Sequence, residues 1–240
     1  MNRLFHLKHT YLQNILDNLD YGKVEFVLIN YNSQDKLDEW VKEKLSKYID
    51  SGLLNYYKTL QPSVFHASIA KNLAHRLANG EVLCNLDGDN YTGKDFAYYI
   101  NYLLNKNEVN SLLHFRKEPY WGTEGRIVLR SDDFHRLGGY DEELLPIGHE
   151  DHDLLNRARA SGIKYINVTV ENFLKYLSNT TKEKAENCTE EGKDYYELEQ
   201  ANKKRSDHNI ANGMLVANQS EGFNKIEVFH NFSSEKITIN

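Results

Sequence analysis

At residues 81–89 the chain reads Glu81-Val82-Leu83-Cys84-Asn85-Leu86-Asp87-Gly88-Asp89, and this stretch bears most directly on the fold class. Residues 81–86 are apolar enough for a central, buried strand, and they lead directly into two aspartates one residue apart. Carboxylate oxygens at the carboxyl end of such a strand suit Mg²⁺ or Mn²⁺, which can bridge the phosphates of a nucleotide. Since Asp-Gly is also a common turn dipeptide, an ordinary acidic turn is the alternative interpretation.

Helices and strands alternate on both sides of that stretch. The pattern predicts helices at 4–19, 36–48, 66–79, 95–105 and 150–161, and further strands at 24–29, 53–58, 111–115, 127–130 and 163–170. This alternation favours an α/β domain with a mostly parallel sheet flanked by helices, in a Rossmann-like arrangement. Such folds bind ligands in the loops at the carboxyl ends of their strands, which is where Asp87 and Asp89 are expected.

The pattern changes after residue 170. Residues 182–204 are highly charged and predict a solvated helical or irregular segment, and residues 225–229 and 236–239 predict a β-hairpin or edge strands. We therefore expect a main domain over residues 1–170 and a helical and β appendage over residues 171–240, packed on it.

Composition excludes several classes of protein. The 240 residues include 29 Lys and Arg against 35 Asp and Glu, a net charge of −6, which argues against a dedicated nucleic-acid binder. No stretch approaches the roughly 20 apolar residues of a membrane span, and no basic-then-apolar signal peptide opens the chain. Two cysteines, Cys84 and Cys188, are too few for a disulfide framework and indicate a reduced, cytosolic setting.

A second acidic motif begins the helix predicted at 150–161 and reads Gly148-His149-Glu150-Asp151-His152-Asp153. Acids in a first helical turn complement the helix dipole by about 0.3–1 kcal/mol each, so capping is the simplest interpretation. Three acids and two histidines in six residues exceed what capping needs. A carboxylate at a helix start beside a cleft can act as a general base, and the histidines leave metal binding open.

Two further motifs lie near element boundaries. Ala70-Lys71-Asn72 falls near the start of the helix at 66–79, where anions bind, although a solvated lysine is an equal alternative for Lys71. Gly138-Gly139 predicts a left-handed helix stop and a tight turn.

The order of these motifs along the chain is distinctive. It resembles that of the family-2-like glycosyltransferases of the GT-A fold over roughly residues 1–170, and its last third also resembles the C-terminal catalytic part of the galactosyltransferases. The pair Gly-Gly-Tyr-Asp-Glu and Glu-Asp-x-Asp-Leu at this spacing is specific, whereas Asp-x-Asp by itself is not. The motifs are Asn30-Tyr31-Asn32-Ser33, Ala70-Lys71-Asn72, Asp87-Gly88-Asp89, Gly125-Arg126, Leu137-Gly138-Gly139-Tyr140-Asp141-Glu142 and Gly148-His149-Glu150-Asp151-His152-Asp153-Leu154.

The resemblance implies a role for each matching residue. Asp87 is expected at the ribose or donor sugar, and Asp89, with Asp87, at a Mn²⁺ or Mg²⁺ ion on the diphosphate. Asp151, with Glu150, is expected at the acceptor hydroxyl, as the general base of an inverting transfer. Donor or nucleotide contacts are implied for Asn30, Asn32, Lys71, Asn72 and Arg126, and a third metal-ligand position for His208.

The sequence departs from the family pattern in three places. Family members begin with a strand before an Asn-Arg pair, whereas Asn2-Arg3 follows Met1 directly, so we expect the first strand to be missing. The usual Asp-Asp after the second strand is replaced by Asn30-Tyr31, which offers different donors and acceptors to a base and leaves uridine as the default. The segment before Glu150, Leu145-Pro146-Ile147-Gly148, lacks the Trp found in the galactosyltransferases, so galactose as the transferred sugar is not supported.

The leading hypothesis is therefore a metal-dependent enzyme that moves a sugar from a nucleotide-diphosphate sugar, UDP-linked by default, to a glycan or glycolipid. Its expected setting is bacterial surface polysaccharide assembly in the cytoplasm, with peripheral attachment to the membrane as one option. A non-catalytic nucleotide- or sugar-binding protein that retains the fold is the second hypothesis. The third is a metal-dependent phosphohydrolase that uses His149, Asp151, His152 and Asp153.

Overall fold

The computed structural model describes residues 1–107, 110–119, 121–188, 194–220 and 222–240. In these ranges the strands are β1 Phe26–Tyr31, β2 Leu54–Thr59, β3 Val82–Cys84, β4 Ser111–Phe115, β5 Ile127–Arg130, β6 Lys164–Val168, β7 Ile226–His230 and β8 Lys236–Ile239. The helices are α1 Leu4–Asn18, α2 Leu37–Lys44, α3 Ser46–Asp50, α4 Ala67–Leu77, α5 Phe96–Lys106, α6 Ser131–Arg136, α7 Glu150–Ala160, α8 Thr181–Ala185 and α9 Tyr195–Ala211. No helix in the described part of the chain combines the length and apolarity needed to cross a membrane.

The described strands form two four-stranded sheets, in the orders β1-β2-β7-β8 and β3-β5-β4-β6. The α/β class is confirmed, but the pairing is mixed: β1 with β2 and β4 with β6 are parallel, and the other pairs are antiparallel. The connection from β4 to β5 contains a 3₁₀ turn in its described part, Trp121–Thr123, rather than the helix of a parallel crossover. β5 therefore returns antiparallel between β3 and β4.

Helices cover both faces of the second sheet at β4 and β5, and the residues of these two strands are therefore almost all buried. Ile127 and Leu129 of β5 pack with Phe134 of α6 and Leu154 of α7, while Val128 packs on the opposite face against α5. This alternation along one strand produces three layers, α on β on α. It also places the end of β3 and the start of α7 at one edge of the sheet.

Helix α1 precedes β1, the first strand in the described part of the chain. Its apolar face, with Leu7, Tyr11 and Ile15, is buried against the first sheet. Its polar residues hold the loop after β3: Thr10 Oγ1 donates to the carbonyl of Gly88 at 2.7 Å, and Asn14 Nδ2 donates to that of Asn90 at 2.8 Å. The N-terminal helix thus fixes the loop that carries the two aspartates.

The segment after residue 170 contacts both sheets. β7 pairs with β2 and β8 with β7, so the predicted C-terminal hairpin is confirmed and extends the first sheet. Helix α9 packs on α7, where Asn202 Nδ2 donates to the carbonyl of Gly148 at 2.7 Å. The domain boundary at residue 170 stays a prediction. The segment after it contacts the earlier residues through β7 and α9.

Two local predictions can be compared directly with the structure. Gly138 and Gly139 have φ angles of +71° and +65°, so the predicted left-handed stop is confirmed. The helix predicted at 36–48 is instead two helices, α2 and α3, interrupted at Leu45. The side chain of Leu45 at this interruption is fully buried in the core.

Candidate functional site

A cavity of about 420 Å³ opens between the end of β3, the start of α7 and the N-terminal segment. It is a charged cavity that combines acidic with basic and imidazole side chains. The described residues that line it include the acids Asp87, Asp89, Glu124, Glu150, Asp151 and Glu199 and the basic or imidazole side chains Arg3, His6, Lys71, His149, His152 and Lys184.

Lys71 joins the two acids that begin α7. Its Nζ donates to both carboxylate oxygens of Asp151, at 2.7 and 2.8 Å, and to Oε1 of Glu150 at 2.9 Å. The three side chains are largely withdrawn from solvent, with exposures of 11% for Lys71, 18% for Asp151 and 9% for Glu150. Because each carboxylate keeps further lone pairs, this ion pair orients Asp151 without using up its capacity to accept a proton.

Burial and neighbouring charge set the ionisation of this trio. Burial raises the pKa of Asp151 to about 7, with a smaller opposing effect from the Lys71 charge and a reinforcing one from Glu150. For Glu150, burial also raises the pKa, but the charge and hydrogen bonds of Lys71 outweigh it and bring the pKa below its usual value. Asp151 is therefore the carboxylate that can exchange a proton near neutral pH.

Asp87 and Asp151 face one another across Gly125. A Cβ atom at Gly125 would lie 2.4 Å from Oδ2 of Asp87 and 3.1 Å from Oδ2 of Asp151, so both carboxylates approach the bare α-carbon closely. Asn85 Nδ2 donates to Oδ1 of Asp87 at 3.2 Å and to the carbonyl of Gly125 at 2.8 Å. The motif after β3 and the motif that begins α7 thus meet in one cavity, although 64 positions separate Asp87 from Asp151 in the sequence.

Asp89 lines the same cavity and is held by amides. Asn90 Nδ2 donates to its Oδ1 at 2.6 Å, and Asn179 Nδ2 donates to its Oδ2. Burial, followed by the charge of Asp87, raises the pKa of Asp89 to about 6. Two partly buried carboxylates one residue apart favour a cation near them, because Asp87 disfavours the charge of Asp89.

Arg126 lies behind this loop and not in the cavity. Its guanidinium is fully buried and donates to Oδ1 of Asn90 at 2.8 Å and to the carbonyl of Phe173. Asn90 in turn donates to the carbonyl of Gly122 at 2.9 Å. Arg126 therefore supports the loop of Asp87 and Asp89, which differs from the donor contact that the motif order implies for it.

The structure also places the other expected donor residues. Asn30 is buried and donates to Asp38 at 2.7 Å, and Asn72 is buried against the backbone of Tyr140, so the cavity lining contains neither. Asn32 lines a smaller neighbouring pocket of about 250 Å³. Of the residues expected at the donor, only Lys71 and Asp87 line the main cavity in the part of the chain that the structure describes.

The histidine predictions have different outcomes. His149 and His152 line the cavity with stacked rings, whereas His208 does not line it and lies beside Asn212 on α9. Asp153 is fully buried and paired with Arg157 at 2.7 Å. No group of three or more His, Cys, Asp or Glu side chains in the described ranges is arranged to hold a metal ion.

Sequence reasoning missed part of the cavity wall. Arg3 and His6 come from the N-terminal segment, and Asn179 and Lys184 from the segment around α8. No local motif marks these residues. Packing of α1 against the loop after β3 would have been the necessary signal, and it depends on tertiary contacts.

One segment of the chain matches the model of a known family. Residues 109–182, which include the start of α7, match the family model described as the N-terminal domain of galactosyltransferase. No curated protein matches the chain.

Solved structures share the fold at low sequence identity. The fold is similar to that of S. aureus TarS 1-349, with a TM-score of 0.56, 16% identity and coverage of 70% of this chain and 55% of that one. It is also similar to the mannosyltransferase PcManGT from Pyrobaculum calidifontis in complex with GDP-Man and Mn²⁺, with a TM-score of 0.60, 16% identity and coverage of 88% of this chain and 68% of that one.

The fold is thus the GT-A fold of glycosyltransferases, as the order of motifs predicts. Within this fold, residues 109–182 are similar to a galactosyltransferase domain. The chain spans just over half the length of the TarS structure.

Proposed function

We propose that this chain transfers a sugar from a nucleotide-diphosphate sugar to a hydroxyl of a glycan or glycolipid acceptor. The observation that carries the proposal is the meeting of Asp87 and Asp151 at Gly125. A donor bound at the end of β3 would place its reacting carbon near the carboxylate that begins α7, in line with the roles that the resemblance implies.

Asp151 is the proposed general base. Its carboxylate accepts the proton of the acceptor hydroxyl as that oxygen forms a bond to the anomeric carbon and the bond to the nucleoside diphosphate breaks. Lys71 holds the carboxylate in place through both oxygens, at 2.7 and 2.8 Å. Attack from the face opposite the leaving group corresponds to inversion of configuration.

Asp87 and Asp89 suit a divalent cation. Their hard oxygen ligands, the burial of Asp89 and the mutual repulsion of the two charges are the features that such an ion relieves. When bound, Mn²⁺ or Mg²⁺ supplies positive charge to the leaving diphosphate. The presence of Mn²⁺ with GDP-Man in the PcManGT structure supports this assignment.

The biological setting is also proposed. We infer a role in bacterial surface polysaccharide assembly from the family resemblance, in the cytoplasm or at the inner surface of the membrane. UDP is the first nucleotide to test. The acidic net charge of −6 supports a glycan or glycolipid acceptor over a nucleic acid.

Titration calorimetry with UDP, GDP and CDP tests the donor site. We expect one nucleotide to bind only in the presence of Mn²⁺, and Asp89→Ala to abolish that binding because it removes a buried cation ligand. Asp20→Ala, an exposed acid beyond α1, is the matched control and should bind as the parent chain does. Absence of binding to all three nucleotides would contradict the proposal, and binding without any transfer would favour the non-catalytic hypothesis.

The rate of transfer should depend on pH through Asp151. A base must be deprotonated, so with a pKa of about 7 we expect kcat/KM to rise as the pH increases through 7 and then level off. The Lys71 charge lowers this pKa, whereas Glu150 and Asp87 raise it. Lys71→Met should therefore move the rising limb to higher pH, and a limb that stays in place would show that another group titrates.

A further inference from the structure

The corner of the cavity around Asp89 contains two polar atoms that lack partners in the described part of the chain. They are Nδ1 of His6 and Oδ1 of Asn179, and both atoms are buried. Buried polar atoms without partners are unfavourable, so two of them in one charged corner point to a ligand that satisfies both.

His6 is held rigidly in this corner by its helix. It is only 7% exposed, and its backbone carbonyl accepts a hydrogen bond from Thr10 Oγ1, the hydroxyl that also binds the carbonyl of Gly88. Leu7, the next residue, packs against Gly88 itself. His6 therefore faces the cavity from a helix anchored to the loop of Asp89.

Asn179 is bound to Asp89 in the cavity that His6 also lines. Its Nδ2 donates to Oδ2 of Asp89. Rotation of the amide by 180° would exchange its nitrogen and oxygen and place Oδ1 beside the Asp89 carboxylate. Two oxygens so placed repel each other unless a cation lies between them. Asn179 can therefore donate to Asp89 when no ion is bound and, after the rotation, offer its Oδ1 to a bound ion.

We propose that His6 and Asn179 complete, with Asp89, the divalent cation site of this protein, in the place that the sequence assigns to His208. This inference rests on the proposed function, because it concerns the cation that the donor site would use. The proposed ligands are an imidazole nitrogen of His6, a carboxylate oxygen of Asp89 and the amide oxygen of Asn179. An imidazole ligand favours a transition metal over Mg²⁺. The site should therefore bind Mn²⁺ more tightly than Mg²⁺.

Metal titration of the full chain without nucleotide tests the site, with free Mn²⁺ measured by electron paramagnetic resonance. We expect His6→Ala and Asn179→Ala to weaken Mn²⁺ binding by about tenfold or more. His9→Ala changes an exposed histidine on the same helix and should have no effect, and His208→Ala should also bind Mn²⁺ normally. His6→Gln retains bulk in the core and should lower the preference for Mn²⁺ over Mg²⁺, with circular dichroism reporting that it folds.

The outcomes separate this inference from the proposed function. If the parent chain binds Mn²⁺, Asp89→Ala abolishes binding and the His6 and Asn179 variants bind normally, this inference is overturned and the donor site stands. If only His208→Ala weakens binding, the third ligand is His208 and the inference is again overturned. If the parent chain binds no Mn²⁺ even with a nucleotide present, the metal dependence of the proposed function fails with it.

Discussion

Asp151→Asn is expected to lower kcat for sugar transfer by about 10²–10⁴-fold, the usual contribution of a general base. An amide has nearly the shape of a carboxylate but cannot accept the acceptor proton. Donor affinity should be unchanged, because the proposed donor and cation contacts belong to Asp87 and Asp89 and not to Asp151. Single-turnover transfer rates and nucleotide titration measure the two quantities separately.

The matched control for this variant is Asp132→Asn, which changes an exposed acid in the first turn of α6. It makes the same chemical change at a helix start that lies outside the cavity lining, so transfer should proceed at the parent rate. Normal transfer by Asp151→Asn would remove Asp151 from its proposed role. A loss of donor binding in Asp151→Asn would instead show that this carboxylate acts on the donor.

Arg157→Met is expected to reduce the free energy of unfolding by about 3–5 kcal/mol, the typical effect of removing one partner of a buried ion pair. Nε of Arg157 donates to Asp153 at 2.7 Å, and its two terminal nitrogens donate to the carbonyls of Leu137 and Gly139 at 2.8 and 2.7 Å. Both charged side chains are at most 2% exposed. Methionine fills the space but leaves the Asp153 charge without its partner.

Urea denaturation followed by circular dichroism measures this effect. Arg159→Met is the control, since Arg159 is an exposed arginine two positions further along the same helix that stacks on Tyr165. Losing that contact should change stability by about 0.5–1 kcal/mol. An equal loss of stability in both variants would show that the ion pair with Asp153 has no special weight in holding α7 against the Gly138-Gly139 turn.

Most elements could be predicted from local pattern. The strands 111–115 and 127–130 coincide with β4 and β5, and the helix at 4–19 differs from α1 by one residue. Periodicity reports these elements because burial of one face or both is a property of neighbouring residues. Strand order and direction depend instead on whether the connection between two strands is long enough for a parallel crossover. The mixed parallel and antiparallel pairing of the second sheet could therefore not be predicted from local periodicity.

The residues expected at the candidate site also fall into two groups, those that line the cavity and those that are buried elsewhere. Asp87, Asp89, Glu150, Asp151 and Lys71 were expected from motif chemistry, and all of them line one cavity. Asn30, Asn72 and Arg126 belong to equally recognisable motifs, yet their side chains are buried in internal hydrogen bonds. A motif shows which residue types stand together in the chain and does not show which way each side chain turns.

The sequence by itself determined the α/β class, the two acidic motifs and the resemblance to GT-A glycosyltransferases, because these depend on residue type and on spacing along the chain. Tertiary contacts alone make Lys71 the partner of Asp151, bring Asn179 to Asp89 and place His6 in the same cavity. The physical reason is that ion pairs, burial and the pKa values they set depend on distances in space, which the packing of α1, α4 and α7 around β3 establishes.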